Sequence, residues 1–180
     1  MAYTTQEIVA KANNLIESFG TRDPYLLARR IGVVVRDCKF GRQRGAYKVI
    51  SRVGVIFLNA DLSENERRVV LLHELGHDRL HKAEAAKAGG FEEYEIFRTE
   101  NNRREYEANL FAAQLALDDV EFLEYCERGW SVQQIAAAVG TDVNLVALKG
   151  DVMALRGCRL RRQERRSDFL KYDRRPNAVP

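Results

Sequence analysis

Apolar residues recur every three or four positions over residues 5–19, where Ile8, Ala12, Leu15, Ile16 and Phe19 share one stripe ahead of Gly20. That period predicts an amphipathic helix with a glycine stop. A shorter helix follows: Asp23 can cap it, Pro24 suits its first position, and Leu26, Leu27 and Ile31 face inward. The pattern then changes to three β-like runs, Val33–Val35, Ala46–Ile50 and Val53–Leu58, punctuated by Gly41, Gly45 and Ser51-Arg52. These predict a small antiparallel three-stranded sheet. Ser63-Glu64-Asn65-Glu66 is a capping box opening a long helix that reaches about Lys82 or beyond, before Gly89-Gly90 breaks the pattern. Residues 91–101 read as loop, followed by helices over about 102–117, 118–128, 131–139 and 142–155. The expectation is an α+β fold, mainly helical, with a small sheet.

Composition narrows the class. The chain has 180 residues, 46% hydrophobic and 31% charged, within the range of a soluble globular domain able to bury its own core. Its apolar runs, such as Val69–Leu72, fall far short of the ~20 residues that span a bilayer, and residues 1–14 lack the basic and apolar regions of a secretory signal. Three scattered cysteines, Cys38, Cys126 and Cys158, do not make a disulfide framework. A cytoplasmic location without membrane association is expected. The net charge of +3 is uneven: from Arg156 onward nine basic residues face three acidic ones. A body slightly acidic overall therefore carries a basic tail, 156–180. Its arginines at 159, 162 and 166 recur at helical spacing, which favours a solvated surface helix over an arm in weak contact with nucleic acid.

The chemistry concentrates in the long helix. All three histidines, His73, His77 and His81, lie within nine residues, and His73-Glu74-Leu75-Gly76-His77 matches H-E-x-x-H. With three His and 16 Glu in the chain, chance supplies roughly 0.004 such matches. Positions i and i+4 share a helix face, so both imidazoles can grip one ion, with Glu74 beside its open side. The competing reading is a buried helix whose histidines are merely hydrogen-bonded in the core.

Catalytic zinc takes three protein ligands. A metzincin would place a glycine and a histidine where Leu80 and Ala83 stand, which excludes that class. His81 lies one turn further along the same helix, too far up the axis to close the site; a supporting or helix-capping role suits it better. A carboxylate from a later helix remains. In residues 104–117, Ala108, Phe111, Ala112 and Leu115 form the inward stripe, with Glu105 and Glu107 on its opposite flanks. Geometry alone does not choose between these two acids.

The run HELGHDRLH, followed by E-Y-E-A-N-L-F-A-A-Q-L, resembles the ImmA/IrrE family of small zinc metallopeptidases, whose pattern is HELGHxxxH and then E-A-N-x-F-A-A about thirty residues later. The resemblance spans roughly residues 5–150 and departs at Leu117-Asp118, where the family has Met-Pro. It implies a zincin-like core of the minimal gluzincin type over 1–117, then a helical, helix-turn-helix-like part over 118–155. It implies Zn2+ held by His73, His77 and Glu107, with Glu74 as general base and then acid. His81 and Asn109 are candidate supports of the site. Tyr47, Tyr94, Tyr106 and Arg103 are the candidates for stabilising the oxyanion. It also implies a protein substrate, a helix-turn-helix repressor of a mobile element or stress response. The strand run ending at Asn59 is expected to be an edge that binds extended substrate.

Two other readings compete. Residues 131–146 have helix-turn-helix spacing through Ala136, Gly140 and Val146, but the second helix offers base-reading side chains only in Asn144 and Lys149. This favours a packing or substrate-recognition module over a DNA-binding regulator. Alternatively, a non-catalytic antirepressor would need the metal only to fold.

Overall fold

The computed structural model describes residues 2–93, 95–97 and 102–158. In chain order the elements are α1 (Thr5–Phe19), α2 (Pro24–Arg30), β1 (Val34–Cys38), β2 (Gly45–Ile50), β3 (Val53–Asn59), α3 (Glu64–Ala88), β4 (Phe91–Glu93), α4 (Arg103–Ala116), α5 (Asp119–Glu127), α6 (Val132–Val139) and α7 (Val143–Leu155). The fold is α+β, with helices dominant. Caps start where the side chains dictate. Ser63 Oγ accepts from the Glu66 N–H while Glu66 reaches back to the Ser63 N–H, and Ser131 with Gln134 does the same for α6.

The sheet differs from the three antiparallel strands expected. It has four strands in the order β1-β3-β2-β4, and β1 runs parallel to β3. Ser51 and Arg52, both at positive φ, make the two-residue turn that forces β2 and β3 to be antiparallel neighbours. Residues 91–93, expected as loop, return from α3 to pair with Gly45–Tyr47 and occupy the outer side of β2. That leaves β1 the free side of β3. The run ending at Asn59 is consequently an interior strand and not an edge; the edges are β1 and β4.

Helix α3 runs through the centre. Its residues Val69–Asp78 are buried all round, between β2 and β3 on one side and α4 on the other. Leu71, Leu75, Phe111, Leu110, Ile56 and Tyr47 make up the heart of the larger hydrophobic cluster. A smaller cluster joins Leu117, Phe122, Ile135, Ala136, Val146 and Met153. Helix α7 serves both, giving Leu145 and Val152 to the first and Val146 and Met153 to the second.

The two side chains that a DNA-reading α7 would present are otherwise engaged. Lys149 is fully buried, with Nζ donating to Gln114 Oε1 at 2.8 Å and paired with Asp119. Asn144 Nδ2 donates to Asp142 Oδ1 at 2.9 Å. Of the basic tail, Arg156 pairs with Asp119, and residues 159–180 lie outside the described residues. No helix among the described residues is long and apolar enough to cross a membrane.

Candidate metal centre

The site forms where α3 and α4 touch most closely. A Cβ at Gly76 would lie 2.8 Å from Ala108 Cα and 2.9 Å from Ala108 O, so only glycine lets the two backbones approach this far. The donors stand around that contact, His73 one turn before Gly76, His77 next to it, and Glu105 one turn before Ala108. His73 Nε2 and His77 Nε2 are 3.0 Å apart, and Glu105 Oε2 lies 3.1 Å from the first and 3.2 Å from the second. A tetrahedral ion with bonds of 2.0–2.1 Å would separate its donors by about 3.3 Å. Two imidazole nitrogens and one carboxylate oxygen converging at nearly that spacing fit such an ion.

The protonation states agree with this fit. Burial pushes His77 down to about 4, against the opposing pull of Glu105, so its imidazole is neutral at neutral pH. Burial raises the Glu105 carboxyl, but the hydrogen bonds with His73 and His77 outweigh it and hold the group well below the usual carboxylate range. Metal ligands must be in these deprotonated forms. Asn109 Oδ1 lies 2.8 Å from His73 Nδ1; as an acceptor it holds the proton there and leaves Nε2 to the site. Its own Nδ2 donates to the Ile96 carbonyl at 2.6 Å.

Glu107 is not at this point of convergence. Its carboxylate is turned to His81, with Oε2 3.1 Å from Nε2, and it accepts from Arg103 Nε at 2.7 Å and the Tyr3 N–H at 3.0 Å. The acid that the structure brings to the two histidines is Glu105 and not the expected Glu107: residues 105 and 107 differ by about 200° around a helix, and the face carrying Asn109 to His73 carries Glu105, one turn earlier.

Glu74 is buried between the two histidines on α3, against β2. A Cβ at Gly45 would come within 2.8 Å of Glu74 Oε1 and 2.6 Å of Val70 Cγ1, so the strand makes room for this carboxylate. Phe91 of β4 lies against His77, with ring centroids 5.0 Å apart. The oxyanion candidates fare differently. Tyr47 is fully buried and its hydroxyl donates to Asp78 Oδ1 at 2.7 Å, which commits it elsewhere. Arg103 is held by Glu107 and the Tyr3 carbonyl. Tyr106 is 40% exposed, and Tyr94 lies outside the described residues. Sequence reasoning missed Gly45, whose only visible signal was as a strand boundary, and the part played by the Tyr3 backbone, which has none.

The chain resembles known proteins over most of its length. Residues 28–149 match the model of the Peptidase_M78 family, the IrrE N-terminal-like domain. The chain is 33% identical over 143 residues to "Uncharacterized immunity region protein 2" of Bacillus phage phi105, covering 79% of this chain and 88% of that protein. It is 27% identical over 138 residues to "Metallopeptidase ImmA" of Bacillus subtilis (strain 168), covering 75% of this chain and 79% of the relative. With a His-His-Glu donor group at its centre and a family match over most of its length, the chain belongs to the IrrE N-terminal-like family of metallopeptidases.

Proposed function

We propose that the protein is a cytoplasmic zinc-dependent endopeptidase that cleaves a helix-turn-helix transcriptional repressor and so relieves repression of a mobile element or stress-response genes. The observation that carries the catalytic part is the convergence of His73, His77 and Glu105 beside buried Glu74. In this reading those three residues hold the ion. Zinc in such a site supplies Lewis acidity toward a scissile carbonyl and makes water deprotonable near neutral pH. Glu74 accepts the water proton and delivers it to the leaving amine. Asn109 keeps His73 in the tautomer that presents Nε2.

Support for the substrate class comes from the family resemblance and from the phage relative, whose name places it in an immunity region. The helices over 118–155 are the part of the chain available to recognise a folded partner beyond the cleaved segment. The test compares protein N-termini by mass spectrometry in native-host cells expressing wild type or Glu74→Gln, with and without DNA damage. A repressor-like protein that gains a new N-terminus only with wild type is the expected result. Identical N-termini alongside an equal transcriptional shift would replace the peptidase with an antirepressor that acts by binding.

A further inference from the structure

Behind the metal-site nitrogens runs a second line of polar contacts that hydrolysis itself does not use. His77 directs Nε2 to His73 and Glu105, while its Nδ1 lies 3.1 Å from His81 Nδ1. His81 Nε2 is 3.1 Å from Glu107 Oε2. Glu107 Oε1 in turn accepts from Arg103 Nε at 2.7 Å and from the Tyr3 N–H at 3.0 Å, and Arg103 Nη2 donates to the Tyr3 carbonyl at 2.9 Å. The side chains of His77, His81 and Glu107 are at most 4% exposed, so water does not substitute for these partners.

With His77 Nε2 serving as a metal donor, one placement of the ring protons along the line satisfies each of these contacts. His77 must carry its proton on Nδ1 and donate it to His81 Nδ1. His81 is then protonated on Nε2 and donates to Glu107. The carboxylate ends the line and is fixed from its other side by Arg103 and the backbone at Tyr3.

We infer that His81 and Glu107 are positioning residues for the metal: through the His77–His81–Glu107 line they fix the tautomer and ring orientation of His77 and strengthen Nε2 as a donor. A carboxylate bonded directly to a ligand histidine does this in many metal sites; here an imidazole is interposed, and the anchor reaches back to the start of α1. The inference rests on the zinc-site reading above and assigns Glu107 a role outside the ligand set.

The test is zinc affinity of the full-length chain, by competition with a chromophoric chelator, for wild type, Glu107→Gln, Glu107→Ala, His81→Phe and the His81→Phe/Glu107→Ala double variant. Each variant should still bind one zinc. Affinity should fall by about 10- to 100-fold for Glu107→Ala and His81→Phe and by less for Glu107→Gln, which keeps an acceptor oxygen. The double variant should be no weaker than His81→Phe, because the two groups act in series. Long-range 1H–15N NMR of the zinc-loaded wild type, which needs no variant, should show His77 protonated at Nδ1 and His81 at Nε2. Unchanged affinity across the series, or the opposite tautomer at His81, overturns the inference while leaving the zinc site standing. Loss of all zinc in Glu107→Ala with one equivalent kept in Glu105→Ala overturns it by making Glu107 a ligand. A wild-type chain that binds no zinc removes the underlying site reading as well.

Discussion

Gly76 and Ala108 are the point about which the site is built: the backbone at 108 comes so near that a single added methyl at 76 would fall within 2.8 Å of Ala108 Cα. On helix propensity alone, Gly76→Ala should stabilise α3 by about 1 kcal/mol. The obstructing atoms belong to a helix backbone, which cannot rotate aside, so α3 and α4 must separate. The expected result is a net destabilisation of about 1–3 kcal/mol with weakened zinc binding, because His73 and His77 sit on one helix and Glu105 on the other. Chemical denaturation and zinc titration check both; a variant of greater stability and full affinity would contradict the packing argument.

Base and ligand separate cleanly by substitution. Glu74→Gln should retain one zinc per chain and lose about 10²- to 10⁴-fold or more in turnover. Glu105→Ala should lose both zinc and turnover, since it removes one of three converging donors. Metal analysis of purified variants beside a cleavage assay distinguishes the two. If Glu105→Ala kept the zinc content of wild type, the donor set drawn here would be wrong.

Asn109 bridges two groups, His73 Nδ1 and the Ile96 carbonyl, and two substitutions pull those tasks apart. Asn109→Leu leaves both buried partners unsatisfied, at about 1–3 kcal/mol each, and should weaken zinc by about 10- to 100-fold. Asn109→Asp keeps an acceptor for His73 but sets an oxygen against the Ile96 carbonyl, so it should cost stability more than zinc affinity. Equal zinc affinity for wild type and Asn109→Leu would show that His73 needs no such support.

Much of this architecture was legible because it is local. The caps at Ser63 and Ser131, the stop at Gly20 and the helical periods are written within a few residues of the features they specify, and H-E-x-x-H needs only a helix to bring its histidines together. What went wrong was non-local. Residues 91–93 carry no strong strand pattern; their strand exists because β2 offers a free side. The parallel pairing of β1 with β3 depends on which sides of the hairpin are taken. Glu105 and Glu107 flank one apolar stripe equally well, and the resemblance to the family pointed to Glu107, whose carboxylate the structure turns toward His81. The distinguishing signal was present: Glu105 and Asn109 are four apart and share a face, whereas Glu107 does not share it. Lys149 counted among the side chains available for base reading because sequence does not show that it would be buried against Gln114 and Asp119.

That buried lysine gives the last prediction, at the opposite end of α4 from Glu105. Asp119 receives Lys149, Arg156 and the Gln114 Nε2 amide, the last at 2.9 Å, and Gln114 Nε2 also donates to Asn13 Oδ1 of α1 at 2.9 Å. Burial raises the Asp119 carboxyl, but these bonds outweigh it and hold the group well below the ordinary aspartate value. Its folded-state value thus lies below its unfolded one of about 3.9. The stability it confers is therefore fully present above that pH and is lost as pH falls toward the folded value. Wild type should lose stability more steeply than Asp119→Asn in urea denaturation as the buffer is taken from about pH 5 downward. Lys149→Ala removes one of the two cations on the half-buried Asp119 carboxylate, which keeps Arg156, and leaves a cavity beside the buried Gln114 amide, and should cost about 2–5 kcal/mol at neutral pH. Gln114 lies nine residues beyond Glu105, about 13 Å along the helix, so zinc affinity of the folded variant should stay that of wild type. Parallel acid profiles for wild type and Asp119→Asn would show that Asp119 contributes no pH-linked stability.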